Sequence, residues 1–281
     1  MPAAPIPDET LAALACPVCG GGLRMHGAAI GCDAGHRFDR ARQGHLTLLA
    51  GRTPFESDTA AMVAARERFL DGGWHVPTAA ALAETAAAEA PGARLVLDVG
   101  GGTGWYAARV LDALPAARGL SLDLSKAAAA RAARAHPRLA SIVADAWAGL
   151  PLQQGSVDVA LSVFAPRNAD ELARVLAPGG VLLVAVPEAD HLAELVEPLG
   201  MLRVDPRKQE RLAERLGAFE RGAVRAVRRE LRLDRAAARD LVLMGPSAFH
   251  AEPALLDERL AALPESIHAT LAVTVAAYRL R

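Results

Sequence analysis

The sequence predicts an α/β domain with a mostly parallel sheet and helices on both faces, preceded by a small metal-stabilised module. Three observations predict it. Short aliphatic runs alternate with helical stretches from residue 93 onward, a glycine-rich loop follows the first run, and all three cysteines fall within residues 11–50 together with His36. Buried runs of four to seven residues separated by helices are the pattern of parallel strands covered on both faces.

A chain of 281 residues accommodates one full α/β domain and an appendage. Its 52% hydrophobic content suffices for a large core, and with only 4% aromatic residues that core must be layered from aliphatic side chains. No run approaches the roughly 20 apolar residues of a membrane span. Residues 1–10 are proline-rich and acidic, unlike a secretory signal, so a cytoplasmic protein without membrane contact is expected. The net charge of −1 does not advertise a nucleic-acid binder. The distribution says more: residues 203–239 carry twelve basic and six acidic side chains. Arginine supplies nearly all of the positive charge, Lys126 and Lys208 being the lysines. That bias reflects either GC-rich coding or a surface suited to bidentate phosphate contacts.

Residues 1–50 form the first unit. Cys16 and Cys19 bracket a CxxC, with Cys32 after twelve more residues and His36 after another three. This spacing suits a closed tetrahedral zinc site, with glycines 20–22 letting the backbone turn around the sulfurs. A redox CxxC would require neither Cys32 nor His36. So small a module builds little core, and the metal must supply much of its folding free energy. Residues 51–92 read as a helical linker: a polar turn, a helix over 59–70 with Asp58 as N-cap and Gly72-Gly73 as its stop, then a helix over 77–90.

Residues 93–281 form the third unit. Strands are expected at Leu95–Val99, 119–122, 141–143, Val157–Val163 and 181–186, with helices at 105–114, 126–135 and 170–176. Looser strands at 224–233 and 268–280 enclose a helical insertion. Asp98-Val-Gly100-Gly-Gly102-Thr-Gly104 closes the first strand, and a helix begins near Trp105. Glycines there let the backbone pass close to a ligand at the carboxyl end of the sheet. A glycine loop alone is a weak signal, but its GxGxG spacing is poorer for a pyrophosphate than GxGxxG. Asp98 can accept from a ligand ammonium, Asp123 at the second strand end can hold ribose hydroxyls, and Asp145 with Ala146 at the third can meet an adenine amino group. Together they point to S-adenosylmethionine. The fold is then a Rossmann-like class I methyltransferase with a seven-stranded, mostly parallel sheet and a small N-terminal zinc-binding domain. The Leu176-Ala-Pro-Gly-Gly180 turn before the fifth strand agrees, and His191 lies on the ligand side just past that strand, although taken alone it reads sooner as a surface histidine.

These residues, with segments 35–39, 41–49, 58–62, 66–71, 164–168, 190–195 and 244–250, resemble the RlmA family of 23S rRNA guanine-N1 methyltransferases. Within it they are most similar to the actinobacterial branch that includes macrolide-resistance enzymes. The resemblance spans almost the whole chain. It implies methyl transfer to N1 of one guanine in a 23S rRNA hairpin loop, a zinc module that helps bind RNA, and a homodimer. It also implies that His75, Trp105 and His191 line the donor pocket, although the family often has tyrosine at the His75 position.

Methyl transfer from a sulfonium is an in-line displacement, so alignment and exclusion of water dominate. Guanine N1 carries a proton at neutral pH that must be accepted, or charge developing on O6 stabilised. Candidates are Arg167 and Asn168 after the fourth strand, to orient the base, and His250 as proton acceptor; helix capping or solvent exposure is the competing reading. The fourth strand lacks the [D/N]PP[Y/F] tetrad of exocyclic-amine methylation. Looped RNA exposes the required base edge, and residues 203–239 with the zinc module are the expected phosphate-contacting surfaces. Two rivals stand beside this reading: a small-molecule methyltransferase, and a non-catalytic RNA-binding protein with a vestigial donor fold.

Overall fold

The computed structural model describes residues 6–281 apart from Ala28, Arg52 and Pro166; Pro166 of segment 164–168 and the first five residues of the proline-rich start thus lie outside the described residues. The chain begins with α1 (Asp8–Ala12) and a three-stranded antiparallel sheet of β1 (Arg24–His26), β2 (Ala29–Gly31) and β3 (Arg37–Phe38), followed by β4 (Leu46–Thr47). Two helices follow, α2 (Ala60–Asp71) and α3 (Val76–Glu89). Thr59, not Asp58, caps α2: its extended backbone sets the hydroxyl beneath the first turn, where it accepts from the Met62 amide. Asp58 instead pairs with Arg66 at 2.5 Å.

Strands and helices then alternate as β5 (Leu95–Val99), α4 (Trp105–Ala113), β6 (Arg118–Asp123), α5 (Lys126–Ala132), β7 (Leu139–Val143), β8 (Val157–Val163), α6 (Ala169–Val175) and β9 (Leu176–Pro187). The fifth strand starts five residues earlier than the sequence suggests. Its Pro178-Gly-Gly180 segment stays in the sheet as an irregularity opposite β8, where a Cβ on Gly180 would come within 2.9 Å of the Ala177 carbonyl. The chain closes with α7 (Ala193–Leu199), α8 (Lys208–Arg215), β10 (Phe219–Leu233), α9 (Arg235–Leu243), a 3-10 turn (Pro246–Phe249), α10 (Pro253–Ala262) and β11 (Ile267–Leu280).

The main sheet runs β10-β11-β9-β8-β5-β6-β7-β4. Its core strands are parallel, with β10 and β11 antiparallel at one edge. The seven expected strands are joined by an eighth, β4, which pairs in parallel with Ile142 and Val143 of β7. Alternation along the strands sorts the core into two layers. Val96, Leu161, Leu183 and Ala185 pack with Phe69, Leu82 and Leu111 on one face. Leu97, Ala160, Leu182 and Val184 pack on the other with Leu14, Leu46 and Cys16. The zinc module therefore shares the second layer, and the Ala15 amide and Ala13 carbonyl bond to Pro151 and Gln153.

No helix among the described residues is long and apolar enough to cross a membrane.

Candidate functional site

Two backbone knuckles assemble the metal centre. The Cys16 amide donates to Gly21 and the Gly20 amide to Cys16, with Gly20 in the left-handed region (φ +73°); the Cys32 amide donates to His36 and the Gly35 amide to Cys32. Four ligand atoms converge, all within 4.8 Å of one another: the sulfurs of Cys16, Cys19 and Cys32 and a ring nitrogen of His36. Cys19 Sγ and Cys32 Sγ are 3.6 Å apart, and His36 Nδ1 is 3.6 Å from Cys16 Sγ and 3.3 Å from Cys32 Sγ. A tetrahedral zinc with ordinary Zn–S and Zn–N bonds separates its ligand atoms by roughly 3.5–3.8 Å. The donor set fits, all four positions are taken by protein, and the cluster is a structural zinc site.

The second site is a cavity of about 910 Å³ at the carboxyl ends of the parallel strands. Its floor is the glycine loop. The Gly100 and Gly101 amides both donate to the Leu122 carbonyl, tying the loop to β6, while Gly102 N donates to Asp123 Oδ2 at 2.9 Å. The other Asp123 oxygen accepts from the Ser125 amide at 2.8 Å. Asp145 accepts from the Trp147 amide at 2.9 Å and from the Thr53 hydroxyl at 2.7 Å, with Ala146 beside it in the cavity wall. Asp98 is buried, and among the described residues neither of its oxygens accepts a well-formed hydrogen bond, the Ala107 amide giving only a weak contact that lowers its pKa slightly. Burial first, and the Asp123 charge second, push its carboxyl up to about 7. Burial likewise raises Asp123. A buried carboxylate without a donor is costly, and a ligand ammonium resolves it. The Trp105 indole N–H is also buried without an acceptor among the described residues, and its ring carries the Arg109 guanidinium at 3.3 Å. Three strand-end carboxylates and an open glycine cradle fit an α-amino acid joined to a nucleoside.

Across the cavity stands an aromatic cluster. Phe164 at the end of β8 is exposed and lies parallel to His191, ring centroids 6.2 Å apart. Phe164 (φ +53°) and Leu192 (φ +56°) are the non-glycine residues with left-handed backbone among those described; such strain persists where the surroundings over-determine it, often at functional sites. His75 packs edge-on against Phe164, and its Nδ1 is 2.9 Å from the Tyr106 hydroxyl. Burial, then the His191 charge, brings His75 down to about 3. His191 accepts from the Ala272 amide through Nδ1, and burial followed by the Lys208 charge brings it to about 4. Both imidazoles are therefore neutral near pH 7.

The cavity gathers His75, Asp98, Gly100, Gly102, Trp105, Asp123, Asp145, Ala146, Arg167 and His191 from the residues singled out in the sequence. Gly104, Asn168 and His250 are not in its lining. Gly104 starts α4 in the left-handed region, packed so that a Cβ would meet Leu139 at 2.8 Å. Asn168 caps α6, accepting from the Glu171 amide at 3.4 Å. His250 is exposed just past the 3-10 turn.

Several lining residues escape sequence reasoning. Arg66 reaches across the glycine loop from α2 to the Met244 carbonyl at 2.6 Å. Gly101 lies so close to Asp98 and Ser121 that a side chain has no room. Lys208, Arg211 and Arg215 come from α8. Segments 66–71 and 244–250 stand out in sequence, but nothing local says that they meet.

Comparison with known proteins agrees with this geometry. Residues 96–180 match the family model of the methyltransferase domain, and residues 14–52 match that of the RlmA N-terminal zinc ribbon. The chain is 49% identical, over 93% of its length and 94% of the relative's, to the 23S rRNA (guanine(748)-N(1))-methyltransferase of Streptomyces fradiae. It is 50% identical to a provisionally named 23S rRNA (guanine-N(1)-)-methyltransferase of Micromonospora griseorubida, over 96% of this chain and 98% of that one. The crystal structure of the YcgJ protein from Bacillus subtilis aligns with a TM-score of 0.52 at 15% identity, covering 72% of this chain and 97% of that one, and shares the fold.

Proposed function

The chain belongs to the RlmA family of 23S rRNA guanine-N1 methyltransferases that use S-adenosylmethionine, and from that premise we propose that its target is guanine 748, presented in a hairpin loop. The observation that carries the proposal is end-to-end identity of 49% to an enzyme named for that nucleotide, joined to a cavity whose carboxylates suit the methyl donor.

S-adenosylmethionine supplies an electrophilic methyl group on its sulfonium. In the proposed arrangement Asp98 takes the ammonium, Asp123 the ribose hydroxyls, and Asp145 with Ala146 the adenine amino group. Gly100 and Gly102 carry the backbone close to the ligand, and Gly104 fixes the loop where α4 begins. Trp105, His75 and His191 enclose the donor's reactive end. Phe164 offers an exposed ring on which an unstacked guanine can lie, and Arg167 stands at the acceptor edge. Asn168 serves that edge indirectly, by capping α6. The exposed His250 belongs to the RNA-facing rim in this scheme rather than to proton transfer. His75 and His191, being neutral, add no positive charge of their own beside a sulfonium. Residues 1–50 act as the RNA-recognition module, 51–92 as the helical connection and 93–281 as the methyltransferase domain, in a cytoplasmic homodimer.

The test is methylation mapping of 23S rRNA from a deletion strain and its complemented parent. Methyl on N1 blocks the Watson–Crick edge, so reverse transcription stops at guanine 748 wherever the gene is present and reads through where it is deleted. An unchanged map overturns the assignment. The branch resemblance adds a second readout, since loss of the methyl group increases macrolide sensitivity if this enzyme protects its host.

A further inference from the structure

Among the described residues six cations line the cavity: Arg66, Arg167, Arg203, Lys208, Arg211 and Arg215. Half of them are neutralised. Arg66 pairs with Asp58 at 2.5 Å, Arg203 with Glu197 at 2.8 Å and Arg211 with Asp205 at 2.8 Å. Arg167, Lys208 and Arg215 have no carboxylate partner among the described residues, although they are near enough to repel one another. Arg167 is half-buried with its Nε–H enclosed and unpartnered, Lys208 is half-buried, and Arg215 stands at the exposed rim. Uncompensated like charges in a half-buried wall are unfavourable unless an anion belongs there.

The groups around them supply no such anion. Tyr278 on β11 faces Arg167, with Arg221 beyond it; His191 and the already paired Asp205 face Lys208. Glu188 is engaged by Gln209 and Thr274. Among carboxylates in the lining, Asp98, Asp123 and Asp145 close the strands of the donor half, and Glu56 and Asp58 precede α2. No unpaired carboxylate of the lining comes from the elements that carry the three cations: Glu210 and Glu214 on α8 and Asp170 on α6 lie outside it. Both cavity imidazoles have Nδ1 occupied and are neutral.

We propose that Arg167, Lys208 and Arg215 hold the target guanine as its N1-deprotonated anion, setting positive charge against O6 so that no carboxylate or imidazole base is needed. This rests on the assignment of guanine N1 as the acceptor. The N1–H bond breaks with its proton passing to water at the cavity mouth. The N1 lone pair then forms the bond to the methyl carbon, and the carbon–sulfur electrons return to sulfur, discharging the sulfonium. Deprotonation thus becomes an equilibrium displaced by fixed cations, the electrostatic alternative to a positioned base.

The test is direct titration of the acceptor. A target hairpin carrying 6-thioguanine at the acceptor position is bound to the full-length zinc-loaded protein without donor, and its absorbance reports N1 ionisation as pH is raised. An opposite charge at close range lowers the pKa of an acid by about one to three. The bound thioguanine should therefore ionise at least about one pH unit below the free hairpin, with Arg167→Met and Lys208→Met each moving it back. Single-turnover methylation of the natural hairpin at saturating RNA should fall about tenfold at pH 7 for every pH unit by which a variant moves that ionisation back, and recover as pH rises. RNA affinity of the variants should stay within about twofold; if instead affinity falls while the bound base titrates normally, the cluster is a phosphate site and the proposal is overturned. Glu56→Gln abolishing the ionisation also overturns it. A wild-type protein that binds the hairpin and leaves the base titrating as it does when free sinks this proposal alone, whereas failure to bind it sinks the rRNA assignment as well.

Discussion

Gly101 and Asp98 occupy one packed unit: a Cβ at position 101 would lie 2.8 Å from Asp98 Oδ2 and would collide with Ser121 Oγ. The second glycine of the loop is thus required by the carboxylate behind it, independently of any ligand in front. Substituting Gly101→Ala should displace Asp98, cost about 1–3 kcal/mol of stability by overpacking and abolish donor binding in isothermal titration. Unaltered donor affinity would contradict such coupling between glycine and carboxylate.

Asp98 also predicts an unusual stability profile. Its folded carboxyl titrates at about 7, above its ordinary value of 3.8, so between those limits the native state binds more protons than the unfolded chain. Stability of the ligand-free protein should then decline as pH rises from about 4 to about 7 from this group alone, and level off above. Urea denaturation across that window checks it, with Asp98→Asn flattening the slope. Donor affinity should follow the opposite course, strengthening as the carboxylate ionises to meet an ammonium, and Asp98→Asn should weaken binding at pH 8.

Zinc removal should be felt beyond its ligands. Cys16 and Cys32 share a core layer with Leu14, Leu46, Leu120 and Ile142, and β4 hydrogen-bonds to the edge of the main sheet. Chelation or Cys32→Ser is expected to release amide protons of β7 as well as those of β1 to β3 in hydrogen exchange. Undiminished protection of β7 would show that the two parts are energetically separate.

Along β10, Arg225, Arg228 and Arg232 are paired with Glu84, Asp190 and Glu230, whereas Arg221 and Arg229 have no carboxylate partner among the described residues. Neither charge is neutralised, Arg229 donating only to the Arg228 carbonyl, so both can meet phosphate. Arg221→Ala and Arg229→Ala should each reduce the slope of log K against log salt for hairpin binding by roughly 0.7–0.9, with a uniform loss of affinity across RNA sequences. The paired arginines should contribute much less.

What could be read from the sequence was what local spacing encodes. Cys16, Cys19, Cys32 and His36 lie within 21 residues, and Asp98, Asp123 and Asp145 each end an aliphatic run, so their convergence follows from a parallel sheet that aligns its carboxyl ends. Asn168 and Asp58 show the limit: an amide or carboxylate ahead of a helix reads equally as cap or ligand, and only the fold reveals that Asn168 caps while Asp58 holds Arg66. Arg66 meeting Met244, and His75 meeting Tyr106, join positions far apart in the chain and leave no periodic trace. Residues 203–239 looked like one basic surface. Instead Lys208 and Arg215 turn toward the cavity while the β10 arginines face outward, a division set by the break between α8 and β10.

Thr53 lies past the zinc ligands, yet its hydroxyl supplies one of the bonds that steady Asp145. A hybrid enzyme made by exchanging front ends between relatives would therefore carry part of what positions the third strand-end carboxylate with the transplanted piece. In this chain the front piece keeps its bond to Asp145 only when the splice falls beyond that threonine.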